Sequence, residues 1–552
     1  MPTLLEHVAA RVAYLHARIA HGRFLRALDD VEGAQRHILG SVLPLIRDSE
    51  FGRHHGLGAV RTVADLSRAL PVMTYEDYRP YVDRVCAGDT GALFSPGRRI
   101  VMFATTSGTT AAPKRIPVTQ EFVRDYRRGW NVFGLKLLSD HPRAILRAIL
   151  QCSGRYDAER TSAGIPCGAI TGLLARTQKG IVRRFYVGRP EIADLESAAA
   201  RYYTLMRLGV GRDVAFAVTA NPATLIQMAK TADEQSETLI RDIHDGTLSR
   251  EIVGDDALRR ILSVGLGPNP ARAGELGRLR TQWGRLRPRD YWRLEFLACW
   301  TGGSMGHYLG RLAEWWGPVP VRDVGLLASE GRVSIPLDDD TAVGVLDVTS
   351  GVFEFIPVEE AEAAVPRCLG PRDVEVGGRY VVVLTNASGL ARYRLDDVVR
   401  VHGRLGGAPL VEFLYRAGRV ASVAGEKLTE NQAVAAVAAA CATLGITGLD
   451  FVLAPRWGDP PHYVLSVGGE TLPGLAEAVD RALAEQNEEY VSRRKSCRLG
   501  PLRVRSVPPA AIAAMDQRLA AARRATAEQY KRPCLFTSPG EDDKALQFGD
   551  AS

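Results

Sequence analysis

The sequence predicts an α/β protein that carries a second, smaller α+β domain. Three observations support this. Apolar runs of strand length at residues 214–219, 294–300 and 319–324 alternate with helical patterns and end in polar loops. From about residue 332 the texture changes to short strands separated by Gly, Asp and Ser (VSIPL, GVFEFIPV, RYVVVLTN, VVRVHG, LVEFLYR), the pattern of a β-rich subdomain or distorted barrel. From about 417 it changes again, to helix, strand, strand, helix, strand. A chain of 552 residues is too long for one hydrophobic core. The expected division is 1–416 for the large domain, 417–535 for the small one and 536–552 for a polar, flexible tail.

Taken in order, residues 1 to about 48 read as helices. Leu4, Leu5, Val8, Val12, Leu15 and Ile19 recur at helical spacing, and Phe24, Leu28, Ile38, Val42 and Leu45 continue it. Thr74 is a good N-cap for the next helix, but Glu76 stands two rather than three positions on, which leaves the capping box imperfect. Residues 100–104 are a short apolar run, and Thr119 opens a helix over 120–130. Residues 144–151 are apolar, and 160–190, rich in Gly and Thr, read as irregular connections. Residues 223–230 read as a helix started by proline near its first turn, and 308–316 as another helix. In the small domain, helices are expected over 430–444 and 475–490, and strands over 450–453, 462–467 and 502–507.

Composition narrows the function class. Hydrophobic content of 46% and charged content of 24% are ordinary for a globular enzyme. The net charge of +7 comes with only short basic clusters, such as Arg183-Arg184 and Arg493-Arg494-Lys495, without the interleaved aromatics of a nucleic-acid surface. No window reaches eighteen apolar residues, and the N-terminus has no uninterrupted apolar core. No nucleic-acid or membrane partner is therefore expected, and the location is expected to be cytoplasmic. The eight cysteines are never closer than fifteen residues, so they read as isolated reduced thiols with no zinc-type spacing. High Ala and Arg content suggests GC-rich coding and a bacterial source.

The chemistry-bearing stretch is Thr106-Ser107-Gly108-Thr109-Thr110-Ala111-Ala112-Pro113-Lys114. Four hydroxyl side chains crowd around Gly108, and Lys114 follows the last of them. Glycine lets backbone N–H groups converge, and the hydroxyls and ammonium add donors to the same spot, which suits a polyphosphate. Two further stretches stand out: Ala328-Ser329-Glu330 after a strand, and the paired carboxylates Asp396-Asp397. A carboxylate is acceptor-only with two oxygens, so it can grip two vicinal hydroxyls. None of the eleven histidines falls into a metal or Ser/His/Asp arrangement.

The 106–114 stretch resembles the TSGTTGxPK signature of adenylate-forming enzymes and departs from it at Ala111. Residues 326–330 resemble the aromatic-Gly-x-[ST]-Glu motif, with Leu326 and Leu327 in place of the aromatic and Gly. Residues 393–397 resemble YRxGD, with Asp396 in place of Gly. LPVMTYEDY, KRIPVT, GVFEFIP, FLYR, GEKLTE, RLGPLRV and EQYKRP narrow the resemblance to the Gretchen Hagen family of acyl acid amido synthetases, over residues 35 to 535.

That resemblance implies an adenylate-forming large domain and a mobile C-terminal domain. It implies ATP and Mg²⁺ as cofactors, with Glu330 holding the metal, Ser329 and Ala328 contacting AMP, and Asp397 holding the ribose. Lys531 is the expected adenylation lysine, and Lys427 a second phosphate or substrate contact beside Lys114. Arg416 is expected at the hinge near the ribose, and Thr301, Gly302, Gly303 and Ser304 along the adenine. The expected reaction joins a small carboxylic acid to an amine or amino acid through an acyl-adenylate, in a monomer or weak homodimer. Two alternatives stand beside it: an acyl-CoA or acyl-carrier thioester ligase, and a non-catalytic nucleotide-binding homologue.

Overall fold

The computed structural model describes residues 18–19, 21–106, 114–178, 180–417, 420–424, 426–495, 498–522, 530 and 532–547. Among the described residues the large domain contains three sheets of four or more strands and a short two-stranded one, Leu327–Ala328 with Gly331–Arg332, whose turn is Ser329-Glu330. In the first, Ile100–Thr106 and Lys114–Thr119 form an antiparallel hairpin in which Thr106 pairs with Lys114. Pro166–Gly168 adds to it in parallel and Glu159–Arg160 follows. The Gly- and Thr-rich stretch therefore falls between two paired strands, and its residues 107–113 lie outside the described ones. Thr119 then caps the helix Gln120–Asp140, its side chain accepting from the N–H of Phe122 at 3.1 Å. That helix is longer than expected.

The second sheet is parallel, in the order Ala148–Gln151, Val214–Val218, Phe296–Ala298, Val321–Arg322. Its helices include Ala198–Val210, Pro222–Glu234 and Leu309–Trp316, which share one hydrophobic cluster with it. The third sheet is antiparallel and six-stranded, running from Ser334–Pro336 to Val352–Pro357 at its edges. These two edges are not bonded to each other, so the expected distorted barrel is open at this seam. The helix Val31–Ile46 lies against the Val352–Pro357 edge. The buried side chain of Gln35 accepts from the Phe353 N–H at 2.7 Å and donates to the Gly351 carbonyl at 3.0 Å. Gln35 thereby satisfies this edge at Phe353, and Leu369 exchanges backbone bonds with Phe355 further along it.

In the small domain, Phe451–Arg456, His462–Gly468 and Arg503–Val507 form a three-stranded sheet. One face carries Glu430–Leu444 and Leu475–Gln486, the other Pro509–Ala522 and Glu541–Leu546. No helix among the described residues is long and apolar enough to cross a membrane, and no disulfide joins the described cysteines.

Three expectations need correction. Residues 160–190 are more ordered than irregular connections, with a helix at Ile170–Arg176. The box at Thr74 is complete, because the N3 residue is Asp77: its carboxylate accepts from both the N–H and the hydroxyl of Thr74 at 2.7 Å. Glu76 instead pairs with Arg79 at 2.7 Å. Third, the tail expected to be flexible packs onto the small domain as far as residue 547. Phe536 and Leu546 are buried, and the fully buried Asp542 receives Arg456 at 2.6 Å and Arg505 at 2.8 Å. The cause is charge pairing across distant segments, which local composition does not reveal.

Candidate active site

The hairpin places Lys114 at the start of its return strand, with the ammonium 3.3 Å from the Tyr393 hydroxyl and above the rings of Tyr75 and Tyr393. The same Tyr393 hydroxyl donates to Glu330 Oε1 at 3.3 Å. Burial, and then the Glu330 carboxylate, push the Tyr393 pKa well above its ordinary value, so this phenol stays protonated and can donate. Lys114, Glu330 and Tyr393 thus meet although they come from the hairpin, the Ser-Glu turn and the third sheet.

Each neighbour is held by local chemistry. Glu330 is 2% exposed, and its carbonyl accepts from Asn386 Nδ2 at 2.6 Å. A Cβ on Gly331 would lie 2.6 Å from that same Nδ2, so only glycine lets the asparagine in. The Ser329 hydroxyl lies 3.5 Å from the Thr105 carbonyl. Leu326 is buried in the main core, so no aromatic ring is presented from that position.

Tyr393 begins the strand Tyr393–Leu405, and residues 67–78 clamp the chain there. The Tyr78 hydroxyl bonds the carbonyl and N–H of Ala391 at 2.6 and 2.8 Å, while Met73 exchanges backbone bonds with Arg392 and Arg394. The buried Arg392 pairs bidentately with Glu354, both bonds at 2.9 Å, and donates to the Leu70 carbonyl at 2.6 Å. Tyr75 accepts from the Arg115 N–H at 2.8 Å, and burial pushes its pKa to about 12.

Asp397 is buried and pairs in register with Arg416, the guanidinium 3.9 Å from the carboxylate. Burial acts to lower the Arg416 pKa, but the carboxylates of Asp397 and Glu330 outweigh it and raise the value. Asp396 adopts φ 61°, in the left-handed region that favours glycine, which accounts for the Gly of the YRxGD pattern at this place. Asp tolerates that region better than most residues. Its side chain is 2.6 Å from Arg394 Nε.

The turn after Phe296–Ala298 is organised by Asp323. One of its oxygens accepts from the Thr301 N–H at 2.6 Å and hydroxyl at 2.8 Å and from the Gly302 N–H at 3.3 Å, and the other accepts from the Gly325 N–H at 2.6 Å. Gly303 has φ 57°, and a Cβ there would lie 2.9 Å from the Leu414 carbonyl. The turn therefore lies flat on the strand that ends in Arg416.

Of the residues singled out in the sequence, Lys114, Ala328, Ser329, Glu330, Asp397, Arg416, Thr301, Gly302 and Gly303 belong to this connected region. Of Thr106 and Ser304 the backbone belongs to the same segments. Lys427 does not join it: it is exposed, at φ 46°, beside the buried Glu426 of the small domain. Ser107, Gly108, Thr109, Thr110, Ala111 and Lys531 lie outside the described residues. Sequence reasoning missed Tyr393, Tyr75 and Asp323. Tyr393 precedes Asp397 by two pleats on one strand, and Asp323 interrupts an apolar run just before Gly325. Both patterns mark a polar group turned inward.

The fold is that of the adenylate-forming enzymes. It is similar to the solved GH3.15 acyl acid amido synthetase, with TM-score 0.81, 23% identity and 95% and 94% of the two chains covered. It is also similar to 2-hydroxyisobutyryl-CoA ligase in complex with 2-HIB-AMP, with TM-score 0.52, 15% identity and 94% and 92% covered. The chain belongs to the GH3 family: its N-terminal domain model matches residues 20–321, its central domain 344–416 and its C-terminal domain 431–540. Among curated proteins it is 27% identical to the jasmonoyl–L-amino acid synthetase GH3.5 of Oryza sativa subsp. japonica, over 86% of this chain and 87% of that one. It is 28% identical to the probable indole-3-acetic acid-amido synthetase GH3.1 of the same plant, over 96% and 92%.

Proposed function

We propose that this protein is an AMP-forming ligase that activates a carboxylic acid with ATP and transfers the acyl group to an amine or amino acid. The meeting of Lys114, Tyr393 and Glu330, with Arg416 and Asp397 adjoining, is the observation that carries the reading. A carboxylate is a poor electrophile. Joining it to AMP gives a mixed anhydride with a good leaving group, and cations near the α-phosphate offset charge as the acyl oxygen attacks.

The residue roles follow from chemistry. Lys114 and the Gly- and Thr-rich stretch bind phosphates. The buried Asp397 accepts from ribose hydroxyls, and the turn at 301–303 offers a flat surface for a base. The residues present fit a Mg²⁺ ion of one kind: among the described residues no three carboxylate, His or Cys groups cluster, so Glu330 would hold it together with phosphate and water oxygens. Such an ion would neutralise phosphate charge. Lys531 supplies the adenylation lysine. Lys427, on the small domain, reaches the site only after that domain turns, with the hinge near Arg416. The hydrophobic clusters of the two domains do not merge, which favours such motion. We place the protein in the cytoplasm, as a monomer or weak homodimer. Ala and Arg content favours a bacterial source, although the relatives named above are plant proteins.

The test is acid-dependent ATP–pyrophosphate exchange across a panel that includes indole-3-acetic acid, jasmonic acid and 2,4-DB, followed by mass spectrometry of amides formed without coenzyme A. Product appearing only with coenzyme A would replace this reading with a thioester ligase.

A further inference from the structure

One contact between the described parts of the small and large domains is a polar cluster that includes neither Lys114 nor Glu330. Arg311, on the large-domain helix Leu309–Trp316, pairs bidentately with Asp450 at 2.8 and 3.2 Å. The same guanidinium donates to the Gly448 carbonyl. Gly448 has φ 68°, and a Cβ there would lie 3.0 Å from Arg311 Nε, so this seat is shaped for the arginine. On the far side of Asp450, Arg532 donates to Oδ1 at 2.6 Å and also grips Asp516 at 2.5 and 2.8 Å. Asp516 in turn accepts from the Tyr530 hydroxyl at 2.9 Å.

A second large-domain contact falls on this same segment. Asn221, 4% exposed, caps the helix Pro222–Glu234 through Oδ1, which accepts from the Ala223 N–H at 2.9 Å. Its Nδ2 donates across the domain boundary to the Tyr530 carbonyl at 2.5 Å. One asparagine thus fixes a large-domain helix start and the backbone of residue 530. The helix Glu430–Leu444 also packs against Gly303–Tyr308 and Ala408–Arg416, but no hydrophobic cluster among the described residues has its buried members in both domains, so the polar bonds of Arg311 and Asn221 contribute to setting their relative orientation.

We propose that Asn221 and Arg311 are positioning residues for adenylation. They hold the small domain so that residues 530 and 532, the sequence neighbours of Lys531, are fixed against the large domain. The proposal rests on the reading of Lys531 as the adenylation lysine. The two residues touch no reacting atom and act through Tyr530, Asp450 and Arg532. Because the bonds are few and polar, they can be exchanged for water when the small domain turns for the second half-reaction.

The experiment compares wild type with Asn221→Asp, which keeps the capping oxygen and loses the donor to Tyr530, and with Arg311→Ala and Arg311→Lys. ATP–pyrophosphate exchange reads adenylation, and amide formation from a chemically made acyl-adenylate reads the second step. Exchange is expected to fall about tenfold in Asn221→Asp and Arg311→Ala, while the second step stays within about twofold. Arg311→Lys should recover part of the loss. Small-angle scattering reads domain orientation without turnover, and both variants should scatter as less compact than wild type while their circular dichroism shows the same folded content. Equal loss in both steps, or unchanged exchange and scattering, overturns the proposal. Absence of exchange in wild type with every panel acid overturns the proposed function instead, and scattering still decides the positioning role.

Discussion

The hydroxyl of Tyr393 stands 3.3 Å from Lys114 and 3.3 Å from Glu330, so one buried phenol joins the hairpin lysine to the carboxylate beside the parallel sheet. A neutral phenol can accept from the ammonium and donate to the carboxylate at the same time. It thereby keeps opposite charges apart yet in register.

Tyr393→Phe removes that bridge and little else. One hydrogen-bonded link of this kind is worth about 1 kcal/mol, so ATP–pyrophosphate exchange should fall about fivefold. Glu330→Gln should cost far more and shift the Mg²⁺ dependence of exchange. Equal effects of the two changes would show that Tyr393 is itself in contact with a reacting group.

Asp396 at φ 61° predicts an asymmetric mutational response. Asp396→Gly should be tolerated to within about 1 kcal/mol. Asp396→Val, β-branched at a left-handed position, should destabilise by roughly 2 kcal/mol. Urea unfolding of the two variants reads the difference.

Asp542 is fully buried and held by Arg456 and Arg505. Asp542→Ala leaves two guanidinium groups without their buried partner and should destabilise the small domain by roughly 3 kcal/mol. Removal of residues 541–552 should do the same, because it takes Asp542 and Leu546 out of the small domain.

Asp450 gives a pH dependence with a defined sign. Burial would raise its pKa, but bonds from Arg311 and the charge of Arg532 override this and lower it to about 2. A depressed carboxylate contributes stability that is present above its unfolded value, near 4, and lost as pH falls toward 2. Asp450→Asn should therefore be about 2 kcal/mol less stable than wild type at neutral pH, and the gap should close between about pH 4 and 2. A gap independent of pH would show that packing, not charge, is lost.

Much of this was legible in the sequence because it is local. The helix Glu430–Leu444 follows from a Thr cap and apolar spacing, and falls where the sequence predicts it. The parallel strands at 214–218, 296–298 and 321–322 lie in runs that end in polar loops. Lys114, Glu330 and Asp397 are visible as polar residues in short patterned segments. Misreadings arose where a choice between neighbours depends on three-dimensional phase. Asp77 rather than Glu76 closes the cap because N3, not N2, faces the Thr74 N–H.

By itself the sequence determined the alternation of strands and helices, the stretch of Gly and hydroxyls before Lys114, and the carboxylates and lysines available for chemistry. These follow from backbone preference and side-chain type within a few residues. Tertiary structure alone decided that Tyr393 would bridge Lys114 and Glu330, that Asp323 would gather the 301–303 turn, and that Asn221 would reach across to Tyr530. Such bonds join groups tens to hundreds of residues apart, and only folding sets the distance and desolvation that give them their strength.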